Sequence, residues 1–475
     1  MAIYKGIIIK IAIRCIIRGI RMKFIIALWF GKIINFLISL VDKTRGTNLS
    51  GEKALRIDPK FVSKFKGIDT GNVLIITGTN GKSTSANLIT HILKKNNKNV
   101  IANLQGANLI SGVASLFIKN STLFGRIKAD YIILEVDERF VPKVLEQLDV
   151  KNLLITNLQK DQVQRNGDPD IICRILKSAV NDGMKMFLNN EEPRSKSFEG
   201  LGKNIVTYGV SKHKEAFVKD DTFPTMACPI CHHKIVFDYY NNDGMGKFEC
   251  ENCSFKSKDK ADYEIYDVDF GKRTFKFDET EFVMPYDSPY MCYNYSAALA
   301  VLKEMAGITP KEASAAFDSF KNVSGRFEIL DYKDKTIKYM RIKQENPETL
   351  QTCINVMSSD LKPKMVCLGL CPLIDMIPHY LNSFYAYDCD FKKLAEQDVE
   401  RYLCFSEGVC YDTAKRLILE GVSPEKITII NTEDVETLFS EIDRVKTDNI
   451  YLITWLKTFN HMKKYYDKEI QNEKN

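Results

Sequence analysis

Two sets of residues in this sequence have the types and spacing to do chemistry. The first is Thr77-Gly78-Thr79-Asn80-Gly81-Lys82-Ser83-Thr84, which follows the apolar run Val73-Leu74-Ile75-Ile76 and leads into a helix-like segment from about Ser83 to Lys95. A strand, a glycine-bearing turn and a helix start, in that order, form a cradle for phosphate. Gly78 and Gly81 let backbone N–H groups approach an anion, and the helix adds its positive N-terminal end. Lys82 can reach the outer phosphates of a nucleotide, and the Ser83 or Thr84 hydroxyl can ligate the accompanying magnesium. Ile76 stands where the full phosphate-loop pattern has its first glycine, so the flanking strand and helix carry the reading more than Gly-Lys-Ser alone.

The second set is Cys228-Pro229-Ile230-Cys231 and Cys250-Glu251-Asn252-Cys253, separated by eighteen residues. This is the spacing of a four-cysteine zinc ribbon, and four thiolates close the coordination shell, so the ion they hold is structural rather than catalytic. His232 and His233 are spare candidates expected to be exposed. No cluster of aromatic and basic residues accompanies the cysteines, and the ribbon is expected to be a folding module or docking knob, with no nucleic acid as partner.

The elements that must position these groups are legible around them. Tyr131-Ile132-Ile133-Leu134-Glu135-Val136-Asp137-Glu138 reads as a buried strand ending in carboxylates, which a doubly wound sheet brings beside the phosphate loop. Glu135 is the expected magnesium ligand, with Asp137 and Glu138 as alternatives. The next strand, Leu153-Leu154-Ile155-Thr156-Asn157, runs into Leu158-Gln159-Lys160-Asp161-Gln162. Beyond residue 326, short apolar strands at Met365 to Leu370, Arg401 to Phe405, Ile427 to Ile430 and Ile450 to Ile453 alternate with helical segments, the pattern of a second, smaller parallel α/β domain.

Length and composition agree with this. The chain has 475 residues, enough for two or three domains, and 45% hydrophobic content supports buried cores. A net charge of +6 is too mild to argue for nucleic acid. Thirteen cysteines without a cleavable signal pattern fit a reducing cytosol, where clustered cysteines hold metal.

The loop Thr-Gly-Thr-Asn-Gly-Lys-Ser-Thr resembles that of the Mur ligase family, ATP-dependent enzymes that activate a carboxylate as an acyl phosphate. The resemblance continues at Asn157 and Asp161, with Gln162 in place of a histidine. It extends to Tyr293-Asn294-Tyr295-Ser296-Ala297-Ala298, where Asn294 would face the nucleotide base, and to Ser324-Gly325-Arg326-Phe327-Glu328, where Arg326 would contact ATP phosphates. With Arg45-Gly46-Thr47 near its start and the four-cysteine insert, the chain is similar to the MurT branch, the synthetase subunits of lipid II isoglutaminyl synthase. That resemblance implies a Mur ligase-like central domain with an inserted zinc ribbon and a smaller Rossmann-like C-terminal α/β domain. The expected division is 1–44, a basic N-terminal segment, then 45–324, the ATP-binding domain with its insert at about 222–260, then 325–475.

It also implies ATP, Mg2+ and Zn2+ as cofactors. The implied reaction is amidation of the D-glutamate α-carboxylate of the lipid II stem peptide, with ammonia from a GatD-like glutamine amidotransferase partner. Lys82, Glu135, Asp161 and Arg326 would carry the catalysis. Another Mur-type amide ligase, amino-acid-adding or folylpolyglutamate-like, and a non-catalytic ATP-binding scaffold are the rival readings. The C-terminal stretch departs from the branch, because Tyr387-Asp388-Cys389-Asp390-Phe391 aligns but His379 and Asn382 stand where the family has aspartates. Asp375 lies upstream, and Glu345 replaces a lysine before Asn346-Pro347.

At the N-terminus, Ile-rich sequence is interrupted by Lys5, Lys10, Arg14, Arg18, Arg21, Lys23 and Lys32, so a simple transmembrane helix is not expected. Lys10, Arg14, Arg18 and Arg21 recur at helical spacing. A helix lying on an anionic membrane surface and a helix packed on its own domain both fit. Met22 is an alternative start. The expected location is the cytoplasm, at the inner face of the membrane if the first of these two readings holds.

Overall fold

A computed structural model describes residues 2–41, 48–104, 107–161, 167–218, 226–242, 244–320, 327–341, 346–370 and 383–473, with only the backbone of 2–20, 41, 327, 341, 348 and 469–473. The chain packs as two compact units, residues 1–158 with 172–322, and residues 159–171 with 323–475.

In the first unit the apolar run before the glycine loop forms β1 (Val73–Thr77), buried at every residue. Continuous burial marks a parallel strand covered on both faces. Its side chains alternate between two cores: Leu74 and Ile76 join one, Val73 and Ile75 the other. Strand β1 pairs in parallel with both β3 (Tyr131–Glu135) and β4 (Asn152–Ile155). The sheet extends through β2 (Val100–Ala102) at one edge, and on the other side through β5 (Lys185–Asn189), β6 (Asn204–Val210) and β9 (Tyr263–Asp269). An antiparallel pair, β10 (Thr274–Phe277) and β11 (Thr280–Val283), completes the order β11-β10-β9-β6-β5-β4-β1-β3-β2. Between β6 and β9 the chain leaves the sheet to make a hairpin of β7 (Ile235–Asn242) and β8 (Met245–Cys250). It returns so that β6 pairs directly with β9, Tyr208 opposite Tyr263.

Helix α3 (Lys82–Lys95) and the Pro289–Ala306 helix cover one face of the sheet with Leu88, Ile92, Ala298 and Leu302. The other face is covered by α1 (Ala2–Val41), packed against α2 (Leu49–Ile57) and α4 (Ile110–Asn120). Phe24, Ala27 and Leu28 of α1 are buried there, and Phe24 meets the rings of Phe61 and Phe65 at 5.3 and 5.2 Å. Gly31 lets α1 approach α4, since a Cβ on it would lie 2.6 Å from the Ile118 side chain. The N-terminal expectation needs a correction on one point. Arg21–Leu40 is helical, long and apolar enough to cross a membrane by length and composition, because Arg21, Lys23 and Lys32 dilute its hydrophobicity too little.

The second unit has its own sheet, in the order β12-β13-β17-β14-β15-β16. Strands β14 (Lys364–Gly369), β15 (Val399–Phe405), β16 (Ile427–Ile430) and β17 (Asn449–Thr454) run parallel and fall on the four apolar segments read from sequence. The hairpin of β12 (Phe327–Tyr332) and β13 (Lys335–Arg341) was not foreseen. Asp331-Tyr332-Lys333-Asp334 reads as polar loop, yet Lys333 takes a left-handed φ of 51° in a tight turn closed by the Tyr332–Lys335 pair. Residues 159–171, expected with the ATP-binding domain, group with this unit. There the Asn346 amide donates to Asp161 at 3.3 Å, and Lys160 pairs with Asp388 at 3.1 Å.

Candidate phosphate and metal sites

At the end of β1 the chain must turn sharply, and the two glycines are there for steric reasons. Gly81 has φ 87° and caps α3, while a Cβ on Gly78 would lie 2.1 Å from the Thr156 hydroxyl and 2.7 Å from the Asn157 carbonyl. The loop is held from outside by the strand end after β4. Asn157 accepts from the Thr79 N–H with its carbonyl at 2.7 Å and from the Asn80 N–H with its side chain at 2.9 Å, and returns an amide hydrogen bond to the Asn80 carbonyl at 3.0 Å. The Thr156 hydroxyl, absent from the sequence-based set, donates to the same carbonyl at 2.7 Å.

These bonds narrow the expected cradle. The N–H groups of Gly78, Thr79 and Asn80 serve protein acceptors, Glu138 at 3.1 Å and Asn157. An anion at this turn would face the start of α3, whose first-turn N–H groups point out of the helix, and the Lys82 ammonium. Lys82 is buried, and its ammonium donates to Glu138 at 2.7 Å and to the carbonyls of Gly78 and Thr79. An anion entering here meets a lysine whose charge is already matched, so Glu138 acts as a counter-ion that binding must displace or share. Sequence alone gave Glu138 only as an alternative magnesium ligand. Which of three nearby carboxylates faces Lys82 is set by the turn after β3, where the Val136 N–H bonds to Ile76 and the Asp137 N–H to Asn108.

Glu135 ends β3 beside the loop, and Ser83 donates to its Oε1 at 2.8 Å. Its Oε2 is buried with no hydrogen-bond partner. A buried carboxylate oxygen without a donor is costly unless something positive completes it. Two hard oxygen donors side by side fit magnesium. Asp137 instead caps its own turn, accepting from the Arg139 N–H at 3.1 Å. Thr84 is buried in the first turn of α3.

Asn294 lies in the second turn of its helix, whose N-cap is Ser288, so it is not a capping residue. Its Oδ1 is where a Cβ on Gly81 would have to go, at 2.2 Å, and the Ser85 hydroxyl lies 3.5 Å from it. Phosphate loop, Glu135, Asn157 and Asn294 are therefore brought together in the first unit. Asp161 belongs to the second unit with Asn346 as partner. Arg326, Gln162, Glu345, Asp375, His379 and Asn382 lie outside the described residues.

The four cysteines converge at the base of the β7–β8 hairpin, their sulfurs all within 4.8 Å of one another. Cys228 and Cys253 are 3.8 Å apart and Cys231 and Cys250 are 3.4 Å apart, close to the ~3.8 Å edge of a tetrahedron whose sulfurs sit about 2.3 Å from one zinc ion. The N–H groups of Ile230 and Asn252 point at the sulfurs of Cys228 and Cys250 at 3.5 Å each. His232 and His233 are exposed and stay outside this shell. The donor set fits zinc. The hairpin is fastened to the main sheet by Asn190, which exchanges two hydrogen bonds with Lys258, and by Glu191, whose carbonyl accepts from Gly246 at 3.0 Å.

A nine-stranded, largely parallel α/β unit with a shortened phosphate loop, followed by a second parallel α/β unit, is the architecture of the Mur ligases. Residues 76–253 match the Mur ligase middle domain and residues 344–459 match the MurT ligase C-terminal domain. A pseudomurein peptide ligase type C from Methanothermus fervidus superposes with a TM-score of 0.62 at 20% identity, over 87% of this chain and 81% of that one. MurF from Thermotoga maritima, in complex with ADP, gives 0.53 at 16% identity, over 89% and 85%. Both share the fold. The chain belongs to the Mur ligase family and is a ligase enzyme.

Within that family it falls on the MurT branch. It is 29% identical over 358 residues, 75% of this chain and 79% of the other, to the MurT subunit of lipid II isoglutaminyl synthase (glutamine-hydrolyzing) from Staphylococcus aureus (strain COL). It is 24% identical over 448 residues, 91% and 94% of the two chains, to the corresponding subunit from Streptococcus pneumoniae.

Proposed function

We propose that this protein is the synthetase subunit of a lipid II isoglutaminyl synthase, amidating the α-carboxylate of D-glutamate in the stem peptide of lipid II to D-isoglutamine. The observation that carries the reading is the Lys82–Ser83–Glu135 arrangement at the start of α3, in a chain similar over most of its length to MurT subunits.

A carboxylate is a poor electrophile, so the reaction needs activation by ATP to an acyl phosphate, which ammonia then attacks with loss of phosphate. Lys82 neutralises charge on the transferring phosphoryl group, and the first turn of α3 orients it. Ser83 and Glu135 would hold magnesium, which when bound supplies positive charge at the phosphate oxygens. Asn294 lies against Gly81 and is suited to line the nucleotide site, while Asn157 fixes the loop that the nucleotide grips. By family resemblance Asp161 is assigned to the catalytic set and Arg326 to contacts with the ATP phosphates. Zinc in the four-cysteine site has a structural role. At neutral pH free ammonia is mostly ammonium, so a GatD-like glutaminase partner is proposed as its source.

The test is ATP hydrolysis by the purified chain with its glutaminase partner, magnesium, glutamine and a lipid II-type acceptor. Turnover should require all of them and fall by at least roughly a hundredfold in Lys82→Ala, with the amidated product seen by mass spectrometry. ATP binding without acceptor-dependent turnover would reject the proposal.

A further inference from the structure

Helix α1 presents two opposite faces between Arg21 and Leu40. One, with Phe24, Ala27, Leu28 and Gly31, is buried against the first unit. At 100° per residue the other carries Met22, Ile26, Ile33, Phe36 and Leu40, a continuous stripe of large apolar side chains that are 53–68% exposed. Single exposed apolar residues need no explanation, whereas a stripe of this length on one helix does. Charge indicates what covers it. From Met1 to Val41 the sequence contains seven Lys or Arg residues and no Asp or Glu. That balance suits an anionic lipid surface and opposes association with a second copy of the same positively charged helix.

A spanning orientation does not fit the packing. The Lys32 ammonium, midway along the apolar window, donates to the carbonyls of Ile118 and Ser121 at 2.7 Å each, and Trp29 donates its ring N–H to the Leu123 carbonyl at 3.1 Å. A helix tied to its own unit through these contacts can lie on a bilayer but cannot cross one.

We propose that α1 is a peripheral membrane-docking helix, its outer apolar stripe entering the interface of an anionic bilayer while its inner face stays packed on the first unit. The stripe supplies hydrophobic partitioning and the basic residues supply attraction to anionic headgroups. The proposal does not rest on the reaction assigned above, since binding is read without turnover.

The experiment is flotation of the full chain with vesicles of phosphatidylglycerol and phosphatidylcholine, against vesicles of phosphatidylcholine alone. Binding is expected to the anionic vesicles, weakening with salt. It should drop by roughly tenfold or more in Ile26→Glu/Ile33→Glu, and by about fivefold for each residue neutralised in the series Lys10→Gln, Arg14→Gln, Arg18→Gln. The glutamine series leaves Phe24, Ala27, Leu28 and Gly31 in place, so it reads the basic charge even where the glutamate pair folds poorly. Equal binding to both vesicle types overturns the proposal. So does retention on membranes after an alkaline carbonate wash, which indicates spanning, or a dimer that Ile26→Glu/Ile33→Glu converts to monomer.

Discussion

Glu138 and Glu191 are both buried carboxylates of the first unit, and their neighbours set them apart. Glu138 has the Lys82 ammonium at 2.7 Å. Glu191 accepts from neutral donors: the Tyr293 hydroxyl, the Val210 N–H at 2.6 Å and the Asn241 amide at 3.1 Å. Burial therefore pushes the Glu191 carboxyl up from 4.5 to about 7, and those hydrogen bonds only partly offset it. Because the folded value lies above the unfolded one, the folded state binds the extra proton between those pH values. Stability from this group is thus lost as pH rises from about 4.5 to 7 and stays lost above. Glu191→Gln removes the ionising group and keeps the amide-sized shape. Relative to the native chain the variant should gain stability with rising pH, by up to about 3 kcal/mol at pH 8, read from urea unfolding at pH 5 and pH 8. Parallel stability curves for the two proteins would show that Glu191 is ionised at no cost.

Among the elements, those whose pattern is set by burial alone were legible in the sequence. Strand β1 reads as a strand because all five residues are covered, and β14 to β17 because short apolar runs alternate with helical segments. The glycines of the loop were legible for a steric reason, and the four cysteines because two Cys-x-x-Cys pairs are the spacing that a shared tetrahedral ion would require. Less was legible where a long-range partner decides. Glu138 finds Lys82 through a turn fifty-six residues away, and the β12–β13 hairpin depends on a left-handed Lys333 in a polar stretch. The insert shows how an element can be separable even when its anchors were unforeseen. Since β6 pairs with β9 across the base of the insert, the main sheet does not need the hairpin to close. Cys231→Ser, or removal of zinc with a chelator, should release bound zinc and raise hydrogen exchange across residues 226–258. Protection in β1, β4 and β5 should persist, with ATP affinity within about twofold. Loss of protection throughout the sheet would mean that the metal site stabilises the whole unit.

At the scale of the molecule, the same helix that offers an apolar stripe outward also closes one face of the nucleotide-binding sheet. Phe24 and Leu28 share a core with Val73 and Ile75 of β1, so α1 is joined through one hydrophobic cluster to the strand that delivers the phosphate loop. Among the residues whose side chains are described, Phe24 is the first in the sequence that belongs to that cluster. Two truncations therefore separate the roles. Deleting residues 2–20 removes Lys5, Lys10, Arg14 and Arg18 but leaves Phe24, Ala27, Leu28 and Gly31 in place. It should weaken anionic-vesicle binding and leave the unfolding midpoint and ATP affinity unchanged. Deleting residues 2–41 strips Phe24 and Leu28 from their pocket, a loss of roughly 5 kcal/mol from the transfer of two large side chains. That is comparable to the whole stability of a typical unit, so this variant should melt many degrees lower or fail to fold, and Mg·ATP should recover only part of the loss. Thermal unfolding of both truncations with and without Mg·ATP checks this. Equal midpoints would show that α1 contributes nothing to the core, and that its buried face is as dispensable as its outer one.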